Sequence, residues 1–475
     1  MDELKRLYLH YTGFPADEIR ELRLLSGSNR HYFRLIGKKN VIGVYGASAA
    51  ENNAFIYMAG HFREKRLPMP AVHCHSDDKL YYLQEDLGDT LLFDAIEKGR
   101  QNGTFNERER MILHKTISWL PSIQIKGSEG FDFSQCYPQP KLDNRSILWD
   151  LNYFKYCFLK ATGLDFMENR LEDDFSSMSK VLLQDEAESF LYRDFQSRNV
   201  MIQDGEPYFI DFQGGRKGPV YYDVASFLWQ AKARFSKELK DELLISYIRA
   251  LRAFLPVDEA AFRHRLRHFV LFRLLQVLGA YGFRGYFEKK THFIQSVPLA
   301  IDNLRELLID DFEEYPYLCD LLRKMTVMKQ FADARKKRLL EVKIISFAYK
   351  KGIPDDSSGN GGGYVFDCRA IHNPGRYECY SLLTGLDEPV VRFLEEKSDV
   401  SAFLNHVDIL VDASVKQYLD RGFTNLMVSF GCTGGQHRSV YCARHLAEHL
   451  HKKFGIGIHL IHREQNIEQN FKTTL

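Results

Sequence analysis

The sequence predicts two domains of different class: an α+β domain, then a small α/β domain. Three observations predict it. Strand-forming runs crowd into residues 15–90, and the pattern from residue 91 to residue 322 is mainly helical. A polar, basic stretch at 323–341 breaks that pattern. Beyond it, apolar strands alternate with helices, the order of a helix-covered sheet that takes ligands at the carboxyl ends of its strands. A chain of 475 residues is also too long for one ordinary core. The expected divisions are 1–322, with a strand-rich lobe at about 15–90 and a helical lobe at about 91–322, then a helical linker at 323–341, then 342–475.

Composition narrows the class. Hydrophobic residues make up 45% and aromatic residues 13%, enough to fill globular cores. A net charge of +1 gives no global electrostatic reason to bind nucleic acid. The eight cysteines form no CxxC pair and no zinc spacing. With no signal-peptide pattern and no apolar run long enough for a membrane helix, they point to reduced thiols in the cytoplasm.

Taken in order, residues 1–22 read as an amphipathic helical lead-in. Leu24–Ile36 reads as strand, small-residue turn, strand. The turn Ser26, Gly27, Ser28, Asn29 can expose backbone N–H groups to a phosphate, with Arg30 and Arg34 as further candidates. The strand Asn40–Tyr45 carries no lysine. Glu51 then opens a helix, and Pro68-Met69-Pro70 breaks the chain. Leu80–Leu87 is a strand running into a hinge. The helical region that follows holds a polar loop at 126–144 and the aromatic, amphipathic run Ser146–Lys160 around Asp150.

The most informative stretch is Leu191–Ser226. Asp194 and Asn199 flank a short polar turn. Two apolar runs, Val200–Ile202 and Tyr208–Ile210, surround Asp204-Gly205, a strong hairpin signal. Asp211 ends the second run. Phosphoryl transfer needs an acid to orient the attacking hydroxyl and hard oxygen ligands to hold Mg²⁺ on the phosphates. Asp194 as base, with Asn199 and Asp211 as metal ligands, supplies those parts in the order of the kinase signature.

This stretch, with YRDFQSRNVM and IDFQGGRKGPVYYDVASFL, resembles the aminoglycoside phosphotransferase and choline kinase superfamily. Within it, the likeness is to the anomeric kinases of N-acetylmuramate and N-acetylglucosamine that act in cell-wall sugar recycling. The resemblance covers roughly residues 15–310 and implies a bilobal, protein-kinase-like fold using ATP and Mg²⁺. It implies a hinge in which Gln84, Glu85 and Leu87 hold adenine, with Asp89 at the cleft mouth. It further implies an acceptor site drawn from Asp89, Asp150, Arg198, Arg273 and Gln276. Asp223 is expected to brace the catalytic loop through backbone N–H groups.

In the second domain, strands are expected at Val342–Ala348, Tyr364–Asp367, Leu426–Phe430 and, last, Ile456–His462, with a flexible insertion at Asp355–Gly363. Gly431–Ser439 is a glycine loop between a strand and a helix, so its N–H groups and the helix dipole favour an anion. Cys432, five residues and Arg438 also match a phosphatase loop. The strings SFAYKKGIP, VFDCRAIHNP, TGLDEPV and GCTGGQHRSVYCARHLAEHL resemble the carboxy-terminal domain of the RapZ family. That resemblance implies a pocket for a hexosamine phosphate lined by Asp367, Cys432, Thr433, Gly434, His437 and Arg438, and it raises RNA as a partner. RapZ pairs this domain with an amino-terminal P-loop domain, and this chain has no GxxxxGKS, so RNA binding does not carry over with the motifs. Three readings follow: an amino-sugar kinase with a sugar-phosphate-binding domain, an RNA-adapter protein with a degenerate kinase domain, and a kinase–phosphatase fusion using Cys432.

Overall fold

The computed structural model describes residues 1–22, 30–184, 188–332, 340–356, 362–421 and 423–473. It divides into two compact units, Met1–Ala332 and Asp333–Leu475.

The first unit begins with helix α1, Asp2–Thr12, ended by Gly13 in the left-handed region (φ 74°). The expected helical lead-in stops there. Residues 18–22 instead form strand β1 (Glu18–Leu22), an edge strand in which only Ile19 and Leu22 are half-buried. Strands β2 (His31–Ile36), β3 (Val41–Tyr45), β4 (Val72–His75) and β5 (Tyr81–Glu85) complete an antiparallel sheet in the order β1-β2-β3-β5-β4. Strand alternation gives the sheet two packed faces. Leu35, Val41 and Leu83 meet Leu4, Leu7 and Tyr8 of α1 on one side. Ile42, Val44 and Tyr82 join the main core on the other, with Phe55 and Met58 of helix α2 (Ala49–Glu64). Ser48 caps α2 by accepting from the Glu51 N–H at 3.3 Å.

The same core continues into the helical lobe through Ile117, Leu151, Phe190 and Leu271. Its longest helix, Glu259–Gly282, packs along the Asn144–Phe154 helix. Gly279 permits this, because a Cβ there would stand 2.8 Å from the Phe154 backbone nitrogen. The segment expected as a linker from residue 323 begins inside this unit: Met325 and Phe331 are buried in the main core. The basic residues 335–338 lie outside the described residues.

The second unit has its own core, including Val342, Ile344, Val428, Phe430, Leu446 and Leu460. Its sheet runs Tyr364–Asp367, Asn425–Cys432, Glu341–Ala348, Gly457–His462, Ile467–Phe471, parallel except for the last strand. That last strand corrects the expectation that 456–462 ends the sheet. Helices Glu388–Lys397 and Val400–Arg421, for which the sequence raised no expectation, also belong to this unit.

Candidate active site

The catalytic stretch folds as its turn chemistry requires. Val200–Gln203 pairs with Glu206–Phe209, and Asp204 (φ 51°) and Gly205 (φ 79°) both take the left-handed backbone of a tight two-residue hairpin turn. The hairpin returns the chain to Asn199, whose carbonyl accepts from the Ile210 N–H at 3.0 Å, so the ends of the two motifs lie together. The Asn199 side-chain amide donates to the Asp194 carbonyl at 2.8 Å, which leaves its Oδ1 as an oxygen ligand.

Asp223 holds the loop from beneath. Its buried carboxylate accepts from the Tyr192 N–H at 2.7 Å and the Arg193 N–H at 2.8 Å. The Gln124 amide adds a donor at 3.4 Å and accepts from the Tyr247 hydroxyl at 2.6 Å. Burial pushes Asp223 up to about 7 against the pull of these donors. Two further links pin the loop: Ser197 donates to Gln230 at 2.6 Å, and the Tyr192 hydroxyl to the Ile210 carbonyl at 2.5 Å. Arg193 (φ 78°) and Asp211 (φ 65°) are non-glycine residues in the left-handed region.

Asp194 and Asp211 sit in opposite electrostatic conditions. Burial raises the Asp194 carboxyl, but Arg273, Arg193 and Arg198 outweigh it and hold the group below the usual carboxylate range. The Arg273 guanidinium lies 3.4 Å from its Oδ1. Asp211 is pushed up by burial and then by the charge of Asp194. Its Oδ1 accepts from the Gln213 amide at 2.7 Å. Each carboxylate thus feels the other's charge, and a cation at Asp211 would relieve that repulsion. Among the described residues no cluster of three or more His, Cys, Asp or Glu could hold a metal. A cation held by Asp211 and Asn199 would therefore take its other ligands from phosphate and water.

Beyond Asp194, Arg273 donates to Gln276 and to the Tyr222 hydroxyl, and that hydroxyl donates to Gln276 at 3.1 Å. Arg193 lies 4.0 Å from Asp150, whose carboxyl burial pushes up. Asp150, Asp194, Arg273 and Gln276 are thus joined in one network. Exposed Arg198 belongs to it through its field on Asp194. Asp89 does not join it: its carboxylate, 79% exposed, pairs with Arg34 at 2.8 Å, and Arg34 also binds Asp86 at 2.7 Å and the Gly88 carbonyl at 3.0 Å. Gln84 and Glu85 end β5, and Leu87, two residues on, is buried. Ser26, Gly27, Ser28 and Asn29 lie outside the described residues. Arg193 and Tyr222 were missed from sequence, although each adjoins a residue that was read, Asp194 and Asp223.

In the second unit, parallel register sets Asp367 beside Gly431 and Ala348 beside Cys432. Three strand ends therefore meet where the glycine loop leaves the sheet. Gly435 (φ 66°) lies so close to the Phe347 and Ala348 backbone that a Cβ would stand 2.8 Å from Ala348 N. The Arg438–Phe454 helix follows, with no side-chain cap on its free N–H groups. Cys432 Sγ accepts from the Gly435 N–H at 3.2 Å and lies 3.1 Å from Ser439 Oγ. Thr433 and Gly434 are exposed. Arg438 is buried and does not reach outward: it donates to the carbonyls of Arg369 at 2.8 Å and Ile371 at 3.0 Å, and to Thr433 at 3.4 Å. His437 meets the Tyr380 carbonyl at 2.9 Å. The Asp367 carboxylate is bound by Arg369, 2.7 Å away, which lies over the Tyr349 ring at 4.1 Å. Tyr349 and Arg369 were not read as pocket residues.

Comparison with known proteins agrees with this division. Residues 21–262 match the model of the phosphotransferase enzyme family. The chain belongs to the phosphotransferase enzyme family. Residues 340–466 match the RapZ C-terminal domain. A protein from Staphylococcus epidermidis named nucleotide-binding protein is 35% identical over 127 residues, 27% of this chain and 40% of that protein. One of the same name from Endomicrobium trichonymphae is 37% identical over 117 residues, 25% of this chain and 39% of that protein. The chain thus spans about two fifths of the length of these relatives. Among solved structures, a choline kinase from Streptococcus pneumoniae is 11% identical, with 63% of this chain and 98% of that one covered and a TM-score of 0.44. An ADP-bound aminoglycoside phosphotransferase is 17% identical, with 67% and 98% covered and a TM-score of 0.44. The chain is thus an α+β domain of the phosphotransferase enzyme family followed by an α/β domain of the RapZ C-terminal type. Among its described residues no helix is long and apolar enough to cross a membrane.

Proposed function

We propose that the first unit is an ATP- and Mg²⁺-dependent kinase for an amino sugar of the N-acetylmuramate and N-acetylglucosamine class, in cytoplasmic cell-wall sugar recycling. The observation that carries this reading is Asp194, kept anionic by arginines and placed beside Asp211. An anionic Asp194 can accept the hydrogen bond of an acceptor hydroxyl and aim it. Asp211 and Asn199 would hold Mg²⁺, which neutralises charge on the transferring phosphoryl group. The linked donors and acceptors of Arg273, Gln276, Tyr222 and Asp150 suit a ring carrying several hydroxyl and amide groups. Ser26–Asn29 and the hinge around Gln84, Glu85 and Leu87 would hold ATP, and Asp89 would stay at the cleft mouth. The test is a screen of amino sugars with ATP and Mg²⁺, the phosphorylated position being read by NMR. Transfer to an anomeric hydroxyl supports the reading, and no transfer to any amino sugar overturns it.

The second domain, on this reading, binds a hexosamine phosphate. The loop 433–437 and the uncapped Arg438–Phe454 helix offer N–H groups to an anion. Asp367, His437 and Arg438 would shape the pocket, because their side chains are spent on neighbouring groups. The place of Cys432 Sγ within the loop, accepting from the Gly435 N–H and in contact with Ser439 Oγ, favours a second reading, a phosphatase with Cys432 as nucleophile. Phosphate release that requires Cys432 would establish it. The RapZ match and the nucleotide-binding relatives favour a third, a regulatory adapter that binds RNA and nucleotide. Nucleotide binding without turnover, with RNA retained by the chain, would establish that one.

A further inference from the structure

Strand β3 carries no cation for the nucleotide phosphates. Its side chains facing α2 are Ile42 and Val44, both in the main core. Kinase-type sites ordinarily place a lysine there, paired with a glutamate of the following helix. The glutamate is present: Glu51 lies in the first turn of α2. Its partner comes from elsewhere. Arg30, two residues before Tyr32 of β2, reaches Glu51 with a guanidinium nitrogen 3.1 Å from Oε1, and its side chain is only 4% exposed.

The pair is tied to the metal turn by packing. The Arg30 guanidinium lies 5.8 Å from the centre of the Phe55 ring, one helical turn after Glu51. Phe55 stacks on Phe212 at 4.7 Å with the rings 14° apart, and Phe212 directly follows Asp211. Arg30 also hydrogen-bonds Tyr32. A buried guanidinium is costly without charged partners. Glu51 and Tyr32 fix the plane of the guanidinium, a group whose forked geometry matches phosphate oxygens.

We propose that Arg30, held by Glu51, is the phosphate-binding cation of the nucleotide site, in place of the lysine that β3 lacks. This rests on the kinase reading above. The test is calorimetry on the full chain with ADP and, separately, adenosine, both with Mg²⁺. Arg30→Met is expected to weaken ADP binding about 10- to 100-fold, the worth of a charge-assisted contact, and to leave adenosine binding unchanged. Arg30→Lys, which keeps the charge without the fork, should fall between wild type and Arg30→Met for ADP. Glu51→Gln should weaken ADP less than Arg30→Met does, since Glu51 only orients the arginine. Unchanged ADP affinity in Arg30→Met overturns the assignment, and so does an equal loss of ADP and adenosine, the mark of a merely structural role. If Arg30→Met does not fold, Arg30→Lys decides: wild-type ADP affinity, or parallel loss of both ligands, overturns the proposal. A wild-type chain that binds neither ADP nor ATP overturns the kinase reading itself, a result distinct from either.

Discussion

On the proposed kinase reading, the chemistry of the first unit turns on a single proton at Asp194. Asp194→Asn is expected to lower turnover roughly 10²- to 10⁴-fold with nucleotide affinity retained, as measured by steady-state kinetics beside calorimetry. Asp211→Ala should instead remove the Mg²⁺ dependence of nucleotide binding, seen by titrating ATP with and without the metal. Asp223 gives a pH signature. Burial raises it to about 7 in the folded chain, whereas an unfolded aspartate titrates near 4. The folded state therefore holds the proton more tightly between those values, and stability falls as pH rises through that window. Urea unfolding at pH 5 and pH 7 should show a smaller fall for Asp223→Asn than for wild type. Asp194, Asn199 and Asp211 were legible in the sequence because local spacing brings them together. Arg273 beside Asp194 depends on a helix about eighty residues away, and Arg30 beside Glu51 joins the residue before β2 to a helix two strands on, so neither pair shows as a motif.

Elements differ in how far turn chemistry alone specifies them. The Val200–Phe209 hairpin was readable because Asp-Gly demands a left-handed turn. The Glu18–Leu22 strand was not: its half-buried Ile19 and Leu22, three residues apart, also suit a helical face, and pairing with β2 decides it. The closing Ile467–Phe471 strand is mostly polar and owes its form to pairing with Gly457–His462. The glycine loop of the second unit offers a test at this scale. Gly435→Ala would force a Cβ into the Phe347–Ala348 backbone at a positive φ. It should cost about 1–3 kcal/mol of stability by chemical denaturation and abolish binding of glucosamine-6-phosphate.

The molecule carries separate cores in its two units, with no residue in common. Calorimetry is expected to resolve two transitions. ATP with Mg²⁺ should raise the first unit's transition alone, and glucosamine-6-phosphate the second's. Each ligand should add about 2.7 kcal/mol at a hundredfold excess over its Kd. A single transition shifted by both ligands would show that the units unfold as one. The composition shift after residue 322 made the division readable. Its place was not, because Met325 and Phe331 still bury themselves in the first core. Gly279 bears on how such a protein diversifies. The helices carrying Asp150 and Arg273 meet there backbone to backbone, with no side chain between them to exchange. Their spacing is thus closed to gradual adjustment by mutation. Any change in what the first unit accepts would have to come from side chains away from this contact.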